Sequence, residues 1–188
     1  MAKSVISPEF RVSFPSLFTP TSFQGQQAKF KITMLFDKGV DLSALKSLAQ
    51  EAAAAKWPDP AKRPANLRNP FRDGDTEKAD IDGYENVIFI NASSKQAPGV
   101  VDQNRQPILA EATVYAGCYA RALLTAYAYD TAGNRGVAFG LQHVQFIRDG
   151  DAFSGRGKAE DAFGVVEVDD MYDDGKKEES SPTGDMFA

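Results

Sequence analysis

The chain has 188 residues, 43% of them hydrophobic, enough for one domain with its own core plus appendages. Cys118 is the only cysteine, which excludes an internal disulfide and a thiolate zinc site, and no apolar run approaches the ~18 residues of a membrane span. The net charge of −5 is uneven: residues 159–188 hold ten acids and two bases, a net of −8, which leaves +3 on residues 1–158.

In chain order, the N-terminus MAKSVISPEF lacks the apolar stretch of a signal peptide, which with the lone thiol fits a reducing cytoplasm. FRVSFPSLF (10–18) alternates, with Phe10, Val12 and Phe14 on one side and Arg11 and Ser13 on the other. This predicts a half-buried strand that Pro15 ends or bends at an edge. KFKITMLFD (29–37) alternates more clearly. Phe30, Ile32, Met34 and Phe36 share one face, and Lys29, Lys31 and Thr33 share the other, with Leu35 as an exception. Asp41 is a good helix N-cap, and Leu42, Leu45, Leu48, Ala49 and Ala52 recur at helical spacing until Pro58.

WPDPAKRPANLRNPFRDGD (57–75) has four prolines and no periodicity, and reads as a long loop with Lys62, Arg63, Arg68 and Arg72 around Phe71. ENVIFINAS (85–93) predicts a strand buried on both faces, and PGVVD (98–102) a short one. YAGCYARALLTAYAYD (115–130) is ambiguous, because its alanines favour helix and its tyrosines and alternation favour strand. The turn formers DTAGNRG and the alternating segment after them decide for a hairpin, with a helical turn at Glu111 to Tyr115 before it. From Glu167 onward, acids, Ser and Gly with few apolar residues predict a disordered tail, yet it ends on Met186-Phe187.

Little here points to catalysis. His143 is the only histidine and lies mid-strand, with no residue placed to orient it as a base. The acids from Asp73 to Asp82 miss the calcium-loop pattern, since Lys78 stands where glycine is required. A magnesium-dependent nuclease built on them is one alternative, and a virion or scaffold protein that assembles through apolar sheet faces is another.

The stronger pattern is bases interleaved with aromatics, which suits a polyanion with unpaired bases. Lys29, Lys31, Arg68, Arg72, Lys95, Arg121 and Arg148 would contact phosphates, and Phe71, Tyr119 and Tyr127 would stack on bases. The acidic terminus (Asp169, Asp170, Asp173, Asp174, Glu178, Glu179, Asp185) would compete with nucleic acid for the basic body, and Phe187 would anchor it to a partner protein.

Four stretches together carry a resemblance: RDGD (72–75), GYENVIFINASSKQAPGVVD (83–102), YAGCYARALLTAYAYD (115–130) and GNRGVAFGLQHVQFIRDGDAFSGRGKAEDAF (133–163). The chain resembles the single-stranded-DNA-binding proteins of tailed bacteriophages from about Phe10 to Phe163. The resemblance implies a mostly β, OB-fold-like domain over residues 1–166: a five-stranded antiparallel Greek-key barrel with one capping helix and long loops. Residues 167–188 would be the acidic tail. It further implies a non-enzymatic protein with no metal or cofactor, acting in phage replication or recombination in the cytoplasm of an infected bacterium. Its tail would contact replication proteins such as a polymerase or helicase, and pairing into dimers is common in such proteins. In this chain Ala188 follows Phe187, whereas tails of this kind usually end on the aromatic residue.

Overall fold

The protein is described by a computed structural model that divides into two units, Met1–Gly155 and Arg156–Ala188. It describes residues 2–153 and Val165, so the predicted tail, with Phe187, lies outside the described residues, as do Arg156 and Lys158. The elements in order are β1 (Ser4–Ile6), β2 (Phe10–Thr21), β3 (Lys29–Asp37), α1 (Ser43–Lys56), β4 (Arg72–Asp73), α2 (Gly74–Glu77), β5 (Val87–Ser94), β6 (Gly99–Val101), β7 (Tyr119–Thr131) and β8 (Asn134–Arg148). Single 3-10 turns occur at Pro60–Lys62 and Glu111–Thr113.

The five long strands pair in the ring β2-β3-β5-β8-β7, and β7 returns to β2. This is the expected Greek-key barrel, corrected at one seam: β5 and β8 run parallel, with Ala92 beside Phe139 and Ser93 beside Gly140. A ring with an odd number of strands cannot alternate direction all the way round, so one pair must be parallel. The short strands β1, β4 and β6 extend the sheet at its edges.

Inward-facing side chains from all five strands meet in one core, with Phe10, Ile32, Met34, Ile90, Leu124 and Phe139 among the most buried. β7 is a strand despite its alanines because the barrel interior is narrow. Ala120 faces Phe146 and Ala122 faces Val144 across the β7–β8 ladder, small against large. Leu45, Leu48, Ala49 and Ala53 bury one face of α1 against this core. The helix starts one residue later than the capping pattern suggests, with Leu42 at the cap position. Asp41 instead accepts the Ser43 N–H at 2.9 Å, and that bond holds its carboxyl below the usual range.

A second cluster lies outside the barrel wall. Leu35, Tyr84, Val87 and Phe89 pack together where the 74–84 segment covers β3 and β5, and Tyr84 Oη bonds Ser13 Oγ at 2.9 Å. This accounts both for Leu35 breaking the alternation and for β5 being apolar on both faces. Phe14 is the other departure. Alternation groups it with Phe10 and Val12, yet it points outward, because β2 is bulged there: three steps from Ser13 to Ser16 match two from Thr33 to Lys31. Pro15 therefore bends β2 without ending it.

Cys118 is fully buried, and desolvation pushes its thiol up to about 11. A thiol-specific reagent at pH 8 is expected to label it only at the rate of unfolding. Rapid labelling of the native protein would show that the β2–β7 region opens without global unfolding. Because the thiolate is disfavoured in the folded state, this group's contribution is intact at neutral pH and is lost as pH rises from about 9 to about 11.

Candidate nucleic-acid interface

Across the outer wall of the barrel, strand register sets two rows of small and polar side chains. One runs Ser16, Lys31, Ser93, Gly140, Thr125, and the other starts Ser13, Thr33, Asn91. Thr33 Oγ1 donates to Asn91 Oδ1 at 2.7 Å, which ties β3 to β5 at the surface. Beside Asn91 on β8 lies Ala138, opposite Tyr127 of β7. With no large side chain along its middle, the wall forms a floor that an extended chain can lie on.

Two hollows sit on this floor. The first, of about 680 Å³, is bounded by Arg68, Phe71, Arg72 and Tyr129, with Asn91 and Ala138 at its base and two carboxylates in its wall, Asp73 paired with Lys38 and Glu77 paired with Arg72. The second, of about 440 Å³, is bounded by Phe14, Lys31, Thr33 and Ser93 and shares Asn91 and Ala138 with the first. They are one trough, crossing the barrel from Phe71 to Phe14. The 68–72 segment can form its wall because Gly136 admits it. Arg68 bridges to Gly136, and a Cβ there would lie 2.8 Å from the Arg68 carbonyl oxygen and 2.8 Å from Tyr129 Oη. Phe71 is half-buried, set edge-on to the core ring of Phe139 at 5.8 Å, so it stands firmly at the rim.

The trough gathers Lys31, Arg68, Phe71 and Arg72 from the predicted set. Arg68 and Lys31 are exposed and, among the described residues, make no ion pair. Arg72 is bound to Glu77 and lies 4.9 Å over the Phe89 ring, so its charge is partly spent within the protein. Lys29 and Lys95 sit at one lip, because the pairing of Phe30 with Ser94 brings their chain neighbours to the same end of the β3–β5 ladder. Tyr127 is 44% exposed on the β7 side.

Tyr119, Arg121 and Arg148 lie elsewhere. Tyr119 and Tyr127 both point outward, but they stand eight steps apart along the strand, roughly 26 Å. Tyr119 carries the Arg148 guanidinium 3.7 Å above its ring, and Arg148 pairs with Glu9 at 2.8 Å, which raises its pKa. Arg121 donates to Gln145 Oε1 at 2.7 Å, beside the β6 edge. Sequence reasoning missed Tyr129, Thr33, Asn91 and Phe14. A polar Asn91 within an otherwise apolar strand, and a proline after Phe14, were the available signals.

Three acids of the 73–82 segment, Asp73, Asp75 and Glu77, serve the fold. Asp73 accepts the Asp75 N–H and pairs with Lys38 at 3.0 Å. Asp75 pairs with Lys38 at 2.6 Å and accepts the Asn86 N–H, bonds that hold its carboxyl below the usual range. Glu77 holds Arg72. Among the described residues no three His, Cys, Asp or Glu side chains converge as metal ligands. His143 Nδ1 accepts the Gly99 N–H at 3.1 Å, where β6 meets β8.

A family model described as the ssDNA-binding protein of Enterobacter phage Enc34 matches residues 3–174. A protein of Acyrthosiphon pisum secondary endosymbiont phage 1, "Putative protein p50", is 38% identical over 172 residues, covering 86% of this chain and 90% of that one. Among solved structures, the single-stranded DNA-binding protein of bacteriophage Enc34 in complex with ssDNA superposes with a TM-score of 0.69 at 20% identity, over 80% of this chain and 89% of that one. The single-stranded DNA-binding protein gp2.5 of bacteriophage T7 superposes with a TM-score of 0.57 at 13% identity, over 83% of this chain and 97% of that one. At such identities the two structures speak for the fold, and the family match spans nearly the whole sequence. The chain belongs to the Enc34 family of phage single-stranded-DNA-binding proteins, a family of binders and not of enzymes.

Proposed function

We propose that the trough from Phe71 to Phe14 binds single-stranded DNA without regard to base sequence, coating strands exposed during phage replication and recombination. The observation that carries this is the joining of Lys31 and Arg68, which make no ion pair among the described residues, with rings at both ends of a floor of small residues. Lysine and arginine neutralise phosphates, and a ring stacks on any base, because every base has a π face. The engaged acids at Asp73, Asp75 and Glu77 take no part in this reading.

The acidic terminus would compete with DNA for the basic face. Its Phe187 would give replication proteins, such as a polymerase or a helicase, an apolar handle after a charged spacer. Pairing into dimers and action in the cytoplasm of the infected bacterium belong to the same reading.

Titration of poly-dT, followed by quenching of tyrosine fluorescence, tests the trough. Four cations in or beside it, Lys29, Lys31, Arg68 and Lys95, make no ion pair among the described residues. At roughly −0.7 per phosphate on a single strand, the plot of log affinity against log salt should have a slope near −3. A complex indifferent to salt would rule the trough out as a phosphate site.

A further inference from the structure

We infer that Phe14 is the end platform of the bound strand, the ring on which its last base stacks. This rests on the reading of the trough as a single-strand site. Phe14 has a φ of 43° and is 59% exposed. Both facts oppose its residue type. A bulky L residue avoids the left-handed region, and the residue before a proline favours extended backbone. The bulge forces the conformation and turns an otherwise inward side chain out of the barrel, while Ser13 and Leu17 beside it stay buried. Bulges commonly re-aim side chains next to sites, and strain of this kind persists where function requires it.

The lining charge changes at this residue. On one side, the Phe14 hollow contains Lys31 and, among the described residues, no carboxylate. On the other, Phe14 borders a hollow of about 430 Å³ lined by Asp80, Asp82, Ile81 and Phe153, with no cation among the described lining residues, although the Arg11 guanidinium lies 4.2 Å over the Phe153 ring. The described linings therefore favour a phosphate on the Lys31 side of Phe14 and disfavour one on the Asp80 and Asp82 side. The strand lies along the floor from Phe71, places its last base on Phe14 and leaves the surface there.

Four variants with the full tail test this. Phe14→Ala and Phe14→Gly should each weaken oligo-dT binding by about 5- to 150-fold, the worth of one stacked base. Phe14→Gly should nevertheless melt at a higher temperature than Phe14→Ala, because only glycine relieves the positive φ; in an unstrained strand the order is the reverse. Lys31→Glu is the control for the trough. If it weakens binding while both Phe14 variants bind like wild type, the platform is wrong and the trough stands. If Lys31→Glu is silent too, the trough reading falls and takes this inference with it. Charge reversal by Asp80→Lys with Asp82→Lys tests the boundary. It should tighten binding of an oligo-dT of about 20 nucleotides while leaving one of about 5 within roughly twofold. An equal gain at both lengths, or a gain at neither, would show that the strand does not end at Phe14.

Discussion

Deleting residues 167–188 is expected to tighten single-stranded DNA binding by about tenfold or more at low ionic strength. The deletion removes eight acids and two bases, and so moves the net charge from −5 to +1. A few tenths of a kcal/mol per screened surface charge, summed over six charges, reaches the ~1.4 kcal/mol that makes a factor of ten. The gain should shrink with added salt, since the Debye length falls from about 10 Å at 0.1 M to about 3 Å at 1 M. Phe187→Ala leaves the charge untouched and should keep DNA affinity within about twofold, while capture of a replication partner weakens. Filter binding of a labelled oligonucleotide across a salt series decides the matter. Affinity that is unchanged or lower after truncation would remove competition by the acidic terminus as a mechanism.

Phe139→Ala should produce the largest loss of stability. Phe139 is fully buried, pairs with Ala126 and Ala92 on two neighbouring strands, and supports the Phe71 ring at the trough rim. Truncating a core phenylalanine typically costs about 3–5 kcal/mol, a large part of the ~5–15 kcal/mol that holds a domain together. For a chain of this size the melting temperature should fall by roughly 6–20 °C. DNA binding measured well below the new midpoint should also weaken, because Phe71 loses the ring that sets its orientation. A melting temperature within a degree or two of wild type would contradict the placement of Phe139 at the parallel seam.

Much of the fold was legible because strand signals are local. The period-two pattern of KFKITMLFD matches β3 residue for residue, and the alanine-rich segment after Gly117 proved a strand once its hairpin partner was considered. Alternation states which face a side chain takes. It does not state how far along the strand the residue lies, or which neighbour it meets. Lys31 meets Ser93 and Asn91 lies beside Ala138 only through register and the parallel seam, pairings between segments tens of residues apart. The same gap hides that Tyr119 and Tyr127, both named for stacking and both facing outward on β7, stand roughly 26 Å apart along the strand. Arg72 and Arg148 looked like free cations, but Glu77 and Glu9 occupy them.

The amino-acid sequence by itself determined the strand faces, the single amphipathic helix and the separation of a basic body from an acidic terminus. Each of these follows from side-chain type at short range. Tertiary structure alone decided that the odd ring closes through a parallel seam, that a bulge turns Phe14 outward, and that Lys31, Arg68, Phe71 and Tyr129 share one trough. Those outcomes depend on register and closure, which are set by packing across the whole barrel and leave no local trace in the chain.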